Sequence, residues 1–313
     1  MSRARICLAT GVVVSALAVG SLPAAALAES PAEATVAAAA TLPYRHSDSV
    51  RQIQLQGATN VRDLGGYRTY DGEMVRYGQV YRADGLGKLT DADVATLGRL
   101  GLGKVIDFRV PVEVQYDGAD RLPSGLTATS RPVTDNGLYA QLLTAIGSRD
   151  PVKQEEMLGG GKAEAFMRDV YRTFVTNPEN RARFAETLRD IADGDRRSPL
   201  LYHCTSGKDR TGWTSYVLLR ALGVPSRTAE RDYLASNDYR AAYDAKVREG
   251  LKQSGLMQNP DLLIPLQEVR TDYLGAALAE VETDYGSLHG YLREGLGLDY
   301  GTLAKLRARL VGS

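Results

Sequence analysis

Cysteine is almost missing: the 313 residues contain two, Cys7 and Cys204, too few for a disulfide scaffold. Histidine is nearly as scarce, with three. No His, Cys, Asp or Glu cluster at metal-ligand spacing accompanies them, so neither a metal nor another cofactor is expected. Net charge is absent too. Lys plus Arg and Asp plus Glu stand at 38 each, which leaves no global attraction for nucleic acid or an anionic membrane and makes any anion recognition local. There is no internal repeat. A membrane span needs about 20 unbroken apolar residues. The one candidate, Ile6 to Leu22, is interrupted by Gly11, Ser15, Gly20 and Ser21, so no stable membrane anchor is expected.

What remains is an ordinary globular composition, 43% hydrophobic. Arg3 and Arg5, the apolar stretch after them and the Ala26-Leu27-Ala28 ending form a secretory signal pattern. The expectation is a signal peptide over 1–28, cleavage near Ala28 and secretion. An Ala-, Ser- and Pro-rich leader follows over 29–49, with His46 assigned no role, and a single folded domain occupies 50–313. Cleavage would leave Cys204 as the lone cysteine, either buried and inert or kept for chemistry.

Short segments rich in Val, Ile, Tyr or Leu predict strands at 75–81, 104–108, 126–133 and 200–203. Thr90 and Asn177 read as helix N-caps. Beyond Thr211 the pattern is helical, over 213–222, 227–234, 238–253, 266–283, 287–294 and 300–310, with Ser236, Asn237 and Asp238 read as an N-cap between two helices. The fold class is therefore α/β, a central sheet surrounded by helices with a helical carboxyl-terminal region. From Gly137 to Phe174, apolar positions at helical spacing flank Gly159, Gly160 and Gly161. Two surface helices joined by a flexible turn, or a helical lid hinged at the glycines, both fit this pattern.

The segment from His203 to Trp213 follows a short apolar strand and opens a helix. Such a loop aims several backbone N–H groups at one point, where the helix dipole also favours negative charge, so a phosphate is its natural occupant. Thr205, Ser206, Gly207 and Lys208 would line it, Gly207 allowing the chain to curl. Arg210, six positions after Cys204, can offer a planar guanidinium to two phosphate oxygens. The same field would ionise Cys204, whose thiol is otherwise only a few per cent thiolate at neutral pH. Thr211 is placed to donate to the sulfur, and His203 to brace the loop.

Cysteine, five residues, then Arg and Thr resembles the signature loop of cysteine-dependent phosphatases. The full His203–Trp213 string is similar to that of the bacterial secreted tyrosine phosphatases. Asn60 to Tyr67, Asp107-Phe108-Arg109 with Glu113, Asp232-Tyr233-Leu234, and Tyr285 to Arg293 extend the likeness over about residues 55 to 310. Phe108 stands where that family usually has Leu. The resemblance implies a cysteine-phosphatase-like, mostly parallel sheet and a metal-independent protein-tyrosine phosphatase working through a phosphocysteine. Its substrate would be a phosphotyrosine protein or a phosphoinositide, and its product inorganic phosphate. Two aspartates compete as general acid. Asp209 is favoured, as in lipid-phosphatase relatives, over Asp107, and each has an alternative role in fixing a neighbouring arginine. Lys208 either contacts a further phosphate or is solvated. Asp63 shapes a turn, next to the site or distant from it. A phosphate or phosphoinositide binding module without turnover is the alternative function. Sulfur transfer is a third, although it does not require Arg210 and Thr211.

Overall fold

The computed structural model describes residues 51 to 312. The expected signal peptide and leader, with Cys7 and His46, lie outside the described residues. The central sheet has five strands in the order β1-β3-β6-β4-β5: β1 (Arg62–Asp63), β3 (Val80–Ala83), β4 (Lys104–Asp107), β5 (Ala128–Ser130) and β6 (Leu200–His203). β1 is antiparallel to β3, and the other pairings are parallel. β2 (Met74–Val75) pairs outside this sheet with β7 (Val311–Gly312). Alternation sorts the strand residues. Tyr81, Ala83, Val105 and Leu201 face one cluster with Leu97, whereas Val80, Ile106, Leu200 and Tyr202 face the larger core with Phe184 and Trp213.

β6 is buried throughout, as a central parallel strand requires. Its register sets Ala83 and Asp107 on either side of His203. The carboxyl ends of β3, β4 and β6 thus open on one sheet edge, with the chain leaving to opposite sides, the usual place for a site in a parallel sheet.

The helices are α1 (Asp91–Gly98), α2 (Pro111–Asp117), α3 (Leu138–Ser148), α4 (Pro151–Leu158), α5 (Lys162–Thr176), α6 (Pro178–Asp193), α7 (Arg210–Ala221), α8 (Ser226–Gln253), α9 (Thr271–Tyr285) and α10 (Tyr300–Leu310), with short helical turns at Pro260–Leu263, Ile264–Gln267 and Leu288–Gly290 and a π-helical turn at Tyr291–Gly295. Thr90 caps α1 in a reciprocal box with Asp93, and Asn177 caps α6 ahead of Pro178. Among the described residues no helix is long and apolar enough to cross a membrane.

Several boundaries differ from expectation for local reasons. The 75–81 strand splits at Gly78, whose φ of +70° turns the chain from β2 into β3. The 126–133 strand keeps only 128–130, since Pro132 has no N–H for a ladder. The helix foreseen from 266 begins at Thr271, and that foreseen at 287–294 is broken into single turns. Ser236, Asn237 and Asp238 are not an N-cap: they lie within the continuous, 28-residue α8. Asn237 instead donates to the Val269 carbonyl and accepts from its N–H, both at 2.8 Å, and buried Ser236 meets Arg62 and Arg82. Their capping groups are taken by tertiary partners, so nothing ends the helix there.

The 137–174 region holds three helices, and they are not all at the surface. α5 buries Met167, Val170, Tyr171 and Phe174, while α3 buries Ala145 alone. Gly160 and Gly161, at φ +60° and +81°, form the joint between α4 and α5.

Candidate active site

Cys204 lies at the carboxyl end of β6, 1% exposed. Thr211, in the first turn of α7, donates its hydroxyl to Sγ at 3.2 Å. Between them the backbone shows a clear asymmetry. The Thr205 carbonyl accepts from Gly85 N at 3.0 Å, that of Ser206 from Asn60 Nδ2 at 3.1 Å, and that of Gly207 from Asn60 Nδ2 at 3.0 Å and Arg82 Nη2 at 2.7 Å. Among the described residues, the N–H groups of Thr205, Ser206, Gly207 and Lys208 meet no protein acceptor. Three consecutive carbonyls are anchored while their amides stay free, an arrangement suited to an anion. Gly207, at φ +63°, is required: a Cβ there would lie 2.5 Å from the Ala83 carbonyl oxygen.

Arg210 is aimed by a residue that sequence spacing alone gave no role. Glu113, in the first turn of α2, grips its two terminal nitrogens at 2.5 and 2.6 Å and accepts the Thr205 hydroxyl at 2.6 Å. Burial alone would lower the arginine's pKa, but Glu113 outweighs it and holds the guanidinium well above its ordinary value. Burial would likewise raise the Glu113 carboxyl, yet Arg210 keeps it below the usual range. The pair is therefore fully ionised at neutral pH. Asp135, 6% exposed in the loop after β5, adds its negative charge to the field at Arg210. Its oxygens accept from Gly137 N and Tyr139 N, which fixes the entry to α3.

The two acid candidates sit differently. Asp107 presents both oxygens to Arg109, at 2.8 to 3.0 Å. Arg109 also pairs with Asp120 at 2.7 Å, and Asp120 accepts from His203 Nε2 at 2.9 Å. His203 is fully buried and reaches the loop only as its neighbour in sequence. Burial would raise Asp120, but His203 and Arg109 together hold it below the ordinary carboxylate value. Asp107, Asp120 and His203 approach closely enough for a metal-type grouping that the sequence, with these residues far apart, did not disclose. The Arg109 guanidinium already bridges the two carboxylates.

Asp209 precedes α7 and receives Lys208 Nζ at 2.8 and 3.0 Å and the Tyr171 hydroxyl at 3.0 Å. Tyr171, on α5, has its pKa driven well up by burial and by Asp209, so it remains a donor. Lys208 is 1% exposed and also reaches the Glu268 carbonyl, so it is not a solvated lysine. Neither oxygen of Asp209 touches Arg210, which belongs to Glu113. Asp63 accepts from Gly65 N at 2.7 Å and Gly78 N at 2.6 Å, shaping the turn beyond β1 and away from the 203–211 loop.

The chain that carries this loop has relatives among known proteins. The sequence model of the tyrosine phosphatase family matches residues 53 to 312. The chain belongs to the tyrosine phosphatase family. It is 32% identical over 267 residues to a Cupriavidus necator protein named as a tyrosine-protein phosphatase, covering 85% of this chain and 90% of that one. To the triple specificity protein phosphatase PtpB of Mycobacterium tuberculosis it is 31% identical over 280 residues, covering 83% and 99%. A Nostoc commune tyrosine-protein phosphatase matches at 27% over 238 residues, 73% of each. A crystal structure of P. aeruginosa TpbA in complex with pTyr matches at 17% identity and a TM-score of 0.27, over 66% of this chain and 89% of that one. The chain is thus a protein-tyrosine phosphatase.

In this tyrosine phosphatase, the residues that sequence reasoning left without a role are those that act from behind. Glu113, Asn60, Arg82, Asp120, Asp135 and Tyr171 all support a group of the loop or its neighbours. Glu113 carried the one usable signal, a carboxylate at the third position of a Pro-initiated helix directly after the Asp107 strand.

Proposed function

We propose that this tyrosine phosphatase hydrolyses phosphotyrosine through a phosphocysteine on Cys204. The observation that carries the reading is the anchored-carbonyl, free-amide loop around a thiol that accepts from Thr211, with a fully ionised Arg210 alongside. The loop amides and Arg210 hold the non-bridging phosphoryl oxygens, and the Cys204 thiolate attacks phosphorus. As the ester P–O bond breaks, the acid protonates the departing phenolate. The same group, now a base, takes a proton from water, whose oxygen attacks phosphorus and releases inorganic phosphate. Thr211 stabilises the departing thiolate by its hydrogen bond.

Asp209 is the favoured acid. Arg109 occupies both oxygens of Asp107 and is itself tied to Asp120 and the Gly118 carbonyl, whereas Asp209 lies in the loop itself, held by the Lys208 ammonium and the Tyr171 hydroxyl. A wider ester range that includes phosphoinositides is supported by Lys208, a second cation of the loop. The 1–28 segment supports secretion. The chemistry calls for no metal ion, so turnover should persist in excess chelator.

The decisive variant is Cys204→Ser. Loss of hydrolysis together with retained phosphate binding is expected; turnover near the parent rate would exclude the covalent route. Phosphotyrosine, phosphoserine and phosphoinositide substrates compared on the parent would set the ester range.

A further inference from the structure

Beneath the loop lies a charged cluster that the reaction scheme leaves unused. Arg62 and Arg82, adjacent across β1 and β3, share Asp232 of α8: Arg62 Nε approaches Oδ1 at 3.0 Å and Arg82 Nη1 approaches Oδ2 at 2.6 Å. All three are 2% exposed or less. Tyr67 donates its hydroxyl to Oδ1 at 2.9 Å and stays neutral, because burial and Asp232 raise its pKa. Among the described residues Asp232 is the only carboxylate paired with either arginine. Two positive charges and one negative leave a surplus cation in the interior, an arrangement that costs stability unless an anion nearby uses it.

Both arginines lead to the loop. Arg82 Nη2 donates to the Gly207 carbonyl at 2.7 Å. Arg62 Nη1 donates to Asn60 Oδ1 at 2.5 Å, which turns the Asn60 amide so that Nδ2 faces the Ser206 and Gly207 carbonyls at 3.1 and 3.0 Å. The Ser206 carbonyl belongs to the same peptide unit as Gly207 N–H, and the Gly207 carbonyl to that of Lys208 N–H. Donation to the oxygen polarises the amide on the other side of each unit and makes it a stronger donor.

We propose that Arg82 and Asn60 are positioning residues for the oxyanion cup: they hold the Ser206–Gly207–Lys208 peptides with N–H inward, and Arg82 lends the surplus charge to the Cys204 thiolate and the phosphoryl group. The proposal rests on the reading of this loop as the phosphate site. Neither residue touches substrate. Both act through the backbone, which separates them from Arg210.

The test uses the full chain. Arg82→Met keeps the length, removes the charge and leaves Asp232 paired with Arg62. Arg82→Lys keeps the charge and loses the fork geometry. Three readouts are compared with the parent: the pH midpoint of Cys204 alkylation by iodoacetamide, inhibition by orthovanadate, and the thermal midpoint. Arg82→Met should raise the alkylation midpoint by about one unit and weaken vanadate inhibition by about tenfold or more. Arg82→Lys should restore most of the midpoint and only part of the inhibition. A purely structural arginine would lower the thermal midpoint and leave the other two at parent values, and that result overturns the proposal. Should Arg82→Met fail to fold, Asn60→Leu removes two loop hydrogen bonds and the acceptor of Arg62 Nη1 while leaving both ion pairs to Asp232 in place; weaker vanadate inhibition is then expected, and parent-like inhibition overturns the proposal. Cys204→Ser keeps the two readings apart, because its loss of turnover upholds the covalent site whichever way the Arg82 variants behave.

Discussion

Glu113 and Arg210 form a two-point ion pair at 2.5 and 2.6 Å, with the carboxylate 1% and the guanidinium 6% exposed. A buried arginine gripped in this way cannot swing to solvent, so it needs little further ordering when substrate binds. Glu113→Gln keeps the shape and removes the charge. We expect kcat/KM to fall by about 10²- to 10³-fold and stability to fall by about 3 to 5 kcal/mol for the broken buried pair. Steady-state kinetics with chemical denaturation measures both. Unchanged kinetics in a destabilised protein would reduce Glu113 to a packing residue.

For the acid, Asp209→Asn and Asp107→Asn are compared on phosphotyrosine and on an ester of a very acidic phenol. Asp209→Asn should slow the first substrate by about 10²-fold and the second far less, since a good leaving group needs no proton. If Asp107→Asn alone shows this selectivity, the assignment moves to that residue.

Gly207→Ala puts a methyl group against the Ala83 carbonyl at a positive φ. The left-handed conformation costs about 1 to 2 kcal/mol, and the clash must in addition displace the loop. The expected outcome is loss of vanadate binding with retained secondary structure by circular dichroism. Parent-like binding would show that the curl is not needed.

Stability should depend on pH through Asp232. Burial would raise its pKa, but Arg62 and Arg82 hold the carboxyl well below the ordinary range. The folded value thus lies beneath the unfolded one, of about 3.9. The stabilisation is complete above that unfolded value and disappears as pH falls through the folded one. Glu113 and Asp120 shift in the same direction. Urea midpoints from pH 2 to 7 should therefore fall steeply on the acid side in the parent. In Asp232→Asn the whole curve should sit lower and that slope should shrink. An equally steep acid limb in the variant would remove Asp232 from the account.

Position along the chain made Cys204, Thr211 and Arg210 legible, because the strand, loop and helix that unite them are contiguous and their chemistry depends on spacing of a few residues. The same holds for the caps at Thr90 and Asn177, and for Asp107, since a parallel partner strand brings its end to the same edge. Asp209 against Asp107 was a different matter: both were visible, but the arginine that ties one and the lysine that holds the other are contacts, not patterns.

The sequence by itself determined an α/β phosphatase with Cys204 between a buried strand and a helix. Only the tertiary structure decided what holds the loop around that cysteine. Glu113 meets Arg210 across 97 residues, Asn60 meets Gly207 across 147 and Arg82 meets it across 125, while Ser236 gives up a capping role for Arg62 and Arg82, 174 and 154 residues away, and Asn237 for Val269, 32 away. A hydrogen bond between distant residues has no preferred sequence separation, so it leaves no periodicity to read. It exists only once the sheet and the helices have packed and burial has made an unpaired polar group expensive.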